Sequence, residues 1–342
     1  MGTSGESSKI TTSIDFKAAG KQHGYLVVPH STNRSAWGAI EIPVSVISGG
    51  AGPTAFFTGA NHGDEYEGPI ALAKLIHDLE PDQVQGTVII MPALNLPAFR
   101  AAQRLSPIDG MNMNRVFPGD RNGTVTSMIA HFVSTQILPL ADVVVDIHAG
   151  GKTLDFMPSA IIHELDDDLH MQKTLAALNA FGAPIGLILR ELDAVGMLDS
   201  TVEEMGSVFL STELGGCGTV TPETIAFAQT GIRNILAHMG ILDETPLSLE
   251  DRGLAPMRLM HTPDGSCFHS ARDNGLYEPF KGLGDEVEEG DPLGQIHFIE
   301  NPERQPLVHR ATRSGMIVCK GVPGLVEKGD CLVVIGEDYR NT

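Results

Sequence analysis

Thr58-Gly59-Ala60-Asn61-His62-Gly63-Asp64-Glu65-Tyr66-Glu67-Gly68-Pro69 is the stretch from which the rest of the chain can be read. The apolar run Ala55-Phe56-Phe57 ahead of it has the character of a buried strand's end, and Ile70-Ala71-Leu72-Ala73-Lys74-Leu75-Ile76 after it has helical apolar spacing. His62 and Glu65 therefore leave a strand-to-helix turn three residues apart, where one tight turn aims an imidazole and a carboxylate at a common point. Zinc accepts that pairing, and catalytic zinc sites commonly take three protein ligands and keep a position open. Alone, the pair reads equally as a surface histidine beside a helix-capping glutamate. The choice depends on residues elsewhere.

Outward from this turn, apolar segments at 40–48, 54–58, 87–92, 143–147, 159–163, 185–189 and 208–214 read as short strands. Helical spacing fills 69–79, 127–138, 166–180 and 222–239. Alternation of this kind predicts an α/β domain with a mostly parallel sheet, whose ligands gather beyond the carboxyl ends of the strands. Near Asp243-Glu244-Thr245-Pro246 the helical spacing stops, and short β-like runs follow between Gly and Pro turns. Two of these are alike: Val287-Glu288-Glu289-Gly290-Asp291 and Val326-Glu327-Lys328-Gly329-Asp330 each lead into an apolar strand. The pattern resembles the small barrel-sandwich of biotinyl and lipoyl domains. Those carry a modified lysine at a hairpin tip, where this chain has Arg313-Ser314-Gly315, so a structural module covering one side of the α/β domain is expected. The expected division is an N-terminal segment 1–38, partly flexible, a catalytic domain 39–242 and a β domain 243–342.

The chain has 342 residues and a formal charge of −20, which opposes binding to nucleic acid or an anionic membrane surface. Cys217, Cys267, Cys319 and Cys331 show neither paired metal spacing nor a dense disulfide pattern, and a reducing cytoplasm is the expected setting. The first dozen residues lack a signal core, Glu6 breaks the myristoylation pattern, and no stretch reaches the length of a membrane span.

The turn finds its counterpart at Val143-Val144-Val145-Asp146-Ile147-His148-Ala149-Gly150-Gly151. His148 ends a buried strand before a glycine turn, which suits a third zinc ligand, and Asp146, on the same face of the strand, could orient it. Between the ligands, Asn95 to Arg104 and Ile108 to Gly119 read as loops holding Arg100, Arg104 and Asn114-Arg115 with few acids nearby. Arginine captures carboxylates in bidentate fashion, and an adjacent amide can serve a remaining oxygen. Glu213 follows the apolar run Val208-Phe209-Leu210 and precedes glycines, a place where an acid is costly unless it is used or paired. Asp166-Asp167-Asp168 reads as a helix cap, Glu203 and Glu204 as a solvated loop, and His77, His131, His170, His238 and His261 as surface or packing residues.

His62-x-x-Glu65, Asn114-Arg115 and His148 after a strand together resemble the succinylglutamate desuccinylase/aspartoacylase family over about residues 39–336. The resemblance implies a zinc-carboxypeptidase-like α/β fold with a smaller C-terminal β domain, and one Zn2+ on His62, Glu65 and His148. It implies that Asn114 and Arg115 hold the substrate carboxylate, that Arg104 binds substrate and stabilises the oxyanion, and that Glu213 is the catalytic acid and base. The loop from Arg104 to Asn114 is slightly longer than in aspartoacylase, so Arg100 stays open for the oxyanion role. The expected substrate is a small N-acyl amino acid, and overall likeness is to the branch that deacetylates N-alpha-acetyl-L-2,4-diaminobutyrate in ectoine degradation. Deacylases of N-acetylaspartate or N-succinylglutamate, a small-peptide carboxypeptidase, and a non-catalytic metal or amino-acid binder are the alternatives. Self-association is left open.

Overall fold

A computed structural model describes residues 8–190 and 195–340; residues 1–7 of the polar N-terminus lie outside the described residues. The chain begins with β1 (Gly20–Pro29), β2 (Ala39–Ser48), β3 (Thr54–Gly59), α1 (Glu67–Asp78), β4 (Thr87–Met91), α2 (Leu96–Ala101) and α3 (Val125–Phe132). It continues with β5 (Val143–Ile147), β6 (Leu154–Phe156), β7 (Ser159–His163), α4 (Asp168–Phe181), β8 (Ile185–Leu189), α5 (Leu198–Glu204), β9 (Val208–Glu213) and α6 (Pro222–His238). Strands alone follow: β10 (Arg258–Thr262), β11 (Phe268–Ser270), β12 (Gly275–Pro279), β13 (Glu286–Val287), β14 (Pro292–His297), β15 (Leu307–Arg310), β16 (Gly315–Gly321), β17 (Leu325–Val326) and β18 (Cys331–Asp338).

Fourteen strands of the described residues form one sheet in the order β1-β2-β4-β3-β5-β9-β7-β8-β10-β18-β16-β13, with β11 on β18 and β6 on β16. Strands β4, β3, β5 and β9 run parallel, as do β7, β8 and β10, and the two groups meet antiparallel at β9 and β7. Continuous apolar runs suit such strands because both faces are covered. Phe57, Ile90, Val143 and Val145 enter the core under α1, α4 and α6. Phe56, Ile89 and Val144 enter the core beneath α3 and α5. A mixed, mostly parallel α/β sheet flanked by helices is therefore the fold, joined to a smaller antiparallel sheet, β15-β14-β12-β17.

The change of composition near Asp243 does not interrupt the large sheet, since β10 pairs in parallel with β8 and β18 pairs with β10. Beyond it the two sheets sandwich a core of Val287, Leu293, Ile317, Val333 and Ile335. The two similar sequence units adopt the same turn: Asp291 N–H donates to the Glu288 carbonyl and Asp330 N–H to that of Glu327, both at 3.0 Å. Gly290 (φ 92°) and Gly329 (φ 104°) supply the left-handed backbone each turn requires.

Three local readings change. Residues 20–29, within the segment expected to be partly flexible, form an edge strand paired with β2 over ten residue pairs. The expected helix at 127–138 begins at Val125, closes as α-helix at Phe132 and loosens into a π turn, because Pro139 cannot donate to a continuing ladder. The expected loop at 95–104 contains α2, started by the Asn95 cap and by Pro97 in its first turn. Among the described residues no helix is long and apolar enough to cross a membrane.

Candidate metal centre and active site

Because β3 and β5 are parallel neighbours, with Gly59 opposite Ile147, the turn after β3 and the residue after β5 emerge side by side. The turn is laced to the segment after β4: Leu94 N–H donates to the Gly59 carbonyl, Asn95 N–H to that of Ala60, and Gly63 N–H to that of Gln103. A Cβ at Gly63 would lie 2.0 Å from a backbone atom of Ala98, so only glycine lets the turn seat on α2. Ala60 is held at a left-handed φ of 49°, a strained conformation for alanine.

His62, Glu65 and His148 are buried, with ligand atoms all within 4.8 Å of one another. Glu65 Oε1 lies 2.7 Å from His62 Nδ1, and Oε2 lies 2.9 Å from His148 Nδ1. Each ring has an acceptor on its other nitrogen: Asp146 Oδ2 at 2.8 Å from His148 Nε2, and Asn112 Oδ1 at 3.2 Å from His62 Nε2. Asp146 is itself fixed by the Asn61 amide at 2.8 Å. With the ring hydrogens on the Nε2 atoms, both Nδ1 lone pairs face the Glu65 carboxylate. Three converging electron-pair donors, oriented from behind by a carboxylate and an amide, form the donor set of a divalent cation.

The protonation balance agrees. Burial lowers the His62 pKa, partly opposed by Glu65. Burial acts to raise Glu65, but the charges of His62 and His148 outweigh it and hold the carboxyl well below its usual range. Burial acts to lower His148, but Asp146 and Glu65 on either side hold it well above the usual histidine value. Without a cation, a proton thus occupies His148, and a metal must displace it. Loading with a divalent cation is therefore expected to release the His148 proton. Because the displaced proton belongs to a raised pKa, affinity should fall as pH is lowered, by about tenfold per unit while His148 is the titrating group. Calorimetry in two buffers of different ionisation enthalpy measures the proton; equal heats would contradict it.

Arg104 reaches this group, its Nη1 lying 3.2 Å from His62 Nδ1 and 3.7 Å from Glu65 Oε1, with nearly half of its side chain exposed. Arg100 sits exposed on α2. Of the two arginines, Arg104 is the one beside His62 and Glu65. Asn114 is buried and Arg115 exposed, on a tight turn whose hub is Asn112. The Asn112 Oδ1 that receives His62 also accepts the Asn114 N–H at 3.0 Å, which ties His62 and Asn114 to one amide. Asn114 Oδ1 accepts from Leu198 N–H at 3.0 Å, which leaves the amino group of that amide as its donor, and Arg115 Nη1 donates to the Asn114 carbonyl at 2.7 Å.

Glu213 ends β9, beside β5. One of its oxygens is closed off from solvent without a hydrogen-bond partner. Burial, then the charge of Glu65, pushes its carboxyl up to about 8, against the opposing pull of His148 and Arg104. Glu67 stands behind it, unremarked in the sequence. This acid is buried, accepts from Thr224 Oγ1 at 3.1 Å, leaves its other oxygen unpartnered, and is pushed up by burial to about 7.

Glu203 corrects the reading of a solvated loop. It lies on α5 and its carboxylate is 3.1 Å from His163 Nδ1, while Asp199, one turn earlier, faces His163 Nε2 at 3.8 Å. The histidine at the end of β7 thus holds the helix whose first residue orients Asn114. Asp167 caps α4 through the His170 N–H, as its position suggested.

Residues 51–239 match the succinylglutamate desuccinylase/aspartoacylase catalytic domain. The chain is 44% identical over 330 residues to the N-alpha-acetyl-L-2,4-diaminobutyric acid deacetylase of Halomonas elongata, an alignment covering 96% of this chain and 95% of that protein. It is also 44% identical to the ectoine utilization protein EutE (DoeB) of Ruegeria pomeroyi in its product-bound structure, with a TM-score of 0.92 over 97% of this chain and 99% of that one. A succinylglutamate desuccinylase/aspartoacylase from Rhodobacter sphaeroides is 43% identical, with a TM-score of 0.93 over 98% and 100% of the two chains.

Proposed function

The chain belongs to the succinylglutamate desuccinylase/aspartoacylase family, and from that premise we propose that it hydrolyses the amide bond of a small N-acyl amino acid. The observation that carries this reading is the convergence of His62, Glu65 and His148 with an unpartnered Glu213 oxygen and Arg104 beside them. A zinc ion held by those three ligands would supply Lewis acidity, polarising the acyl carbonyl and acidifying water.

The chain's own residues do the rest. Glu213, as a carboxylate, takes a proton from the attacking water and returns it to the departing nitrogen, so that water and amide become a carboxylic acid and an amine. The Arg104 guanidinium stabilises the negative charge that develops on the acyl oxygen. Arg115 and the Asn114 amino edge grip the substrate carboxylate and convert binding energy into orientation.

N-alpha-acetyl-L-2,4-diaminobutyrate is the substrate best supported, because likeness to the Halomonas deacetylase extends over nearly the whole of both chains. The four cysteines, free and without disulfides, fit a reducing cytoplasm. Amine release by the zinc-loaded protein from this compound, N-acetyl-L-aspartate, N-succinyl-L-glutamate and a dipeptide tests the reading. Turnover of the first alone supports it; turnover of another acyl amino acid keeps the chemistry and discards the substrate; cleavage of the dipeptide alone points to a carboxypeptidase. In the same assay Arg115→Ala is expected to raise KM about 10- to 100-fold with a smaller change in kcat, the size of a lost charged hydrogen-bond pair.

A further inference from the structure

Nearly half of the Arg104 side chain is exposed, so the place of its guanidinium depends on the backbone that delivers it. That backbone leaves α2 at Ala102, whose φ of 50° and ψ of 49° are left-handed, a conformation alanine adopts only under constraint. Gln103 then ties the chain down twice. Its N–H donates to the Ala98 carbonyl at 3.1 Å, and its own carbonyl accepts from Gly63 N–H at 3.0 Å. Arg104 follows, outside any helix or strand. The Ala102 carbonyl is among the last of α2, which a helix's own ladder leaves without donors. It accepts a hydrogen bond from Lys152 Nζ at 2.6 Å.

Lys152 stands four residues beyond His148, on the glycine turn that follows β5. Its N–H donates to the buried Asp64 at 3.1 Å, within the turn that carries His62 and Glu65. Gly151, just before it, accepts from Gly218 N–H at 2.6 Å, and Gly150 N–H donates to the Gly215 carbonyl at 3.0 Å. These bonds fasten the same turn to the loop after Glu213. The lysine stem lies along Gly218, where a Cβ would come within 2.8 Å of Lys152 Cγ. Four segments thus meet at one residue: the turns after β3 and β5, the loop after β9 and the chain beyond α2. An exposed lysine bonded to a carbonyl contributes little to the stability of a fold. With its root fixed by Asp64 and its tip two residues before Arg104, this one acts on where the guanidinium stands.

We infer that Lys152 is a positioning residue for Arg104: its ammonium holds the Ala102 carbonyl, and with it the backbone that sets the guanidinium against the acyl oxygen of the substrate. This rests on the oxyanion role proposed for Arg104. Lys152→Met keeps the stem on Gly218 and removes the charged donor. In the zinc-loaded full chain acting on N-alpha-acetyl-L-2,4-diaminobutyrate, it should lower kcat about tenfold with KM within about twofold, the split expected of a displaced transition-state contact. Zinc content and melting temperature should match the parent, which separates positioning from support of the fold. Lys152→Arg, which retains a charged donor, should recover most of the loss. In an Arg104→Ala background, Lys152→Met should change kcat by less than about twofold, because the group it places is gone. A parental kcat in Lys152→Met overturns the proposal, as does an equally large loss in the Arg104→Ala background, or lost zinc. Hydrogen–deuterium exchange of residues 99–105 decides independently of turnover: it should quicken in Lys152→Met, and an unchanged rate overturns the proposal. Parental kcat in Arg104→Ala alone sinks the oxyanion role, and the exchange rate then decides whether Lys152 still positions this backbone.

Discussion

Glu213→Gln is expected to lower kcat about 10³-fold while one zinc remains bound per chain. The side chain projects from the end of β9, and β9 is fixed beside β5 in register, Asp146 opposite Ser211. Glutamine keeps the shape and an acceptor oxygen but cannot accept the proton that water must lose. The pH dependence carries the same information. Burial and the Glu65 charge place the Glu213 carboxyl at about 8; a dication on the ligands cancels much of the Glu65 contribution and draws it downward. The base form is then present above the lowered value and lost as pH falls through it, so kcat/KM should have an acid limb that the variant lacks. Metal content by emission spectrometry and a pH–rate profile check both points. A variant that keeps a tenth of the activity would show that another group takes the proton.

Part of this centre could be read from sequence because it needs little three-dimensional knowledge. His62 and Glu65 share one turn, His148 ends a strand marked by four apolar residues, and parallel strands place their carboxyl ends together. Glu213 was visible as an acid ending an apolar run. The supporting residues were hidden for a physical reason: their partners are set by tertiary approach. Asn112 joins His62 to Asn114 only because a 3₁₀ turn folds its amide over both. Glu67 looks like an ordinary acid in a helix's first turn until Thr224, 157 residues later, is found against it. Choosing between Arg100 and Arg104 required α2, whose exposed face carries the former while the chain beyond it delivers the latter.

The fold divides similarly. Buried parallel strands announce themselves as unbroken Val and Ile runs, and the long amphipathic helices by their spacing. β1 did not, because Gly20, Gly24 and its polar residues interrupt the alternation and its order comes from pairing with β2. β6 is three residues long and exists through its pairing with β16, which stitches the C-terminal strands to the loop after His148. α5 is too short for its spacing to show in sequence, so Glu203 reads as a loop acid, and only the fold sets it and Asp199, one turn earlier, against His163.

Glu65→Gln should be the more damaging change, abolishing turnover by removing the metal rather than the proton acceptor. Glu65 is the shared element of the trio, one oxygen toward each histidine, with Oε2 also accepting the Ala149 N–H at 3.2 Å. The amide cannot provide two anionic oxygens, and its NH2 would direct hydrogens at one of the lone pairs meant for the cation. Zinc affinity is expected to fall by at least about 10²-fold, the scale of 3 kcal/mol or more for breaking a buried charged contact. The metal-free protein should also lose about 3–5 kcal/mol, since His148, held protonated between Asp146 and Glu65, would keep only one of its two counter-charges. Thermal unfolding of both proteins in chelator separates this from Glu213→Gln, whose removal of an unpartnered buried carboxyl, raised by burial to about 8, should leave stability equal or higher. An apo Glu65→Gln protein as stable as the parent would mean that the metal-free centre relaxes its two histidines away from each other, and that the cation, rather than Glu65, holds them in place.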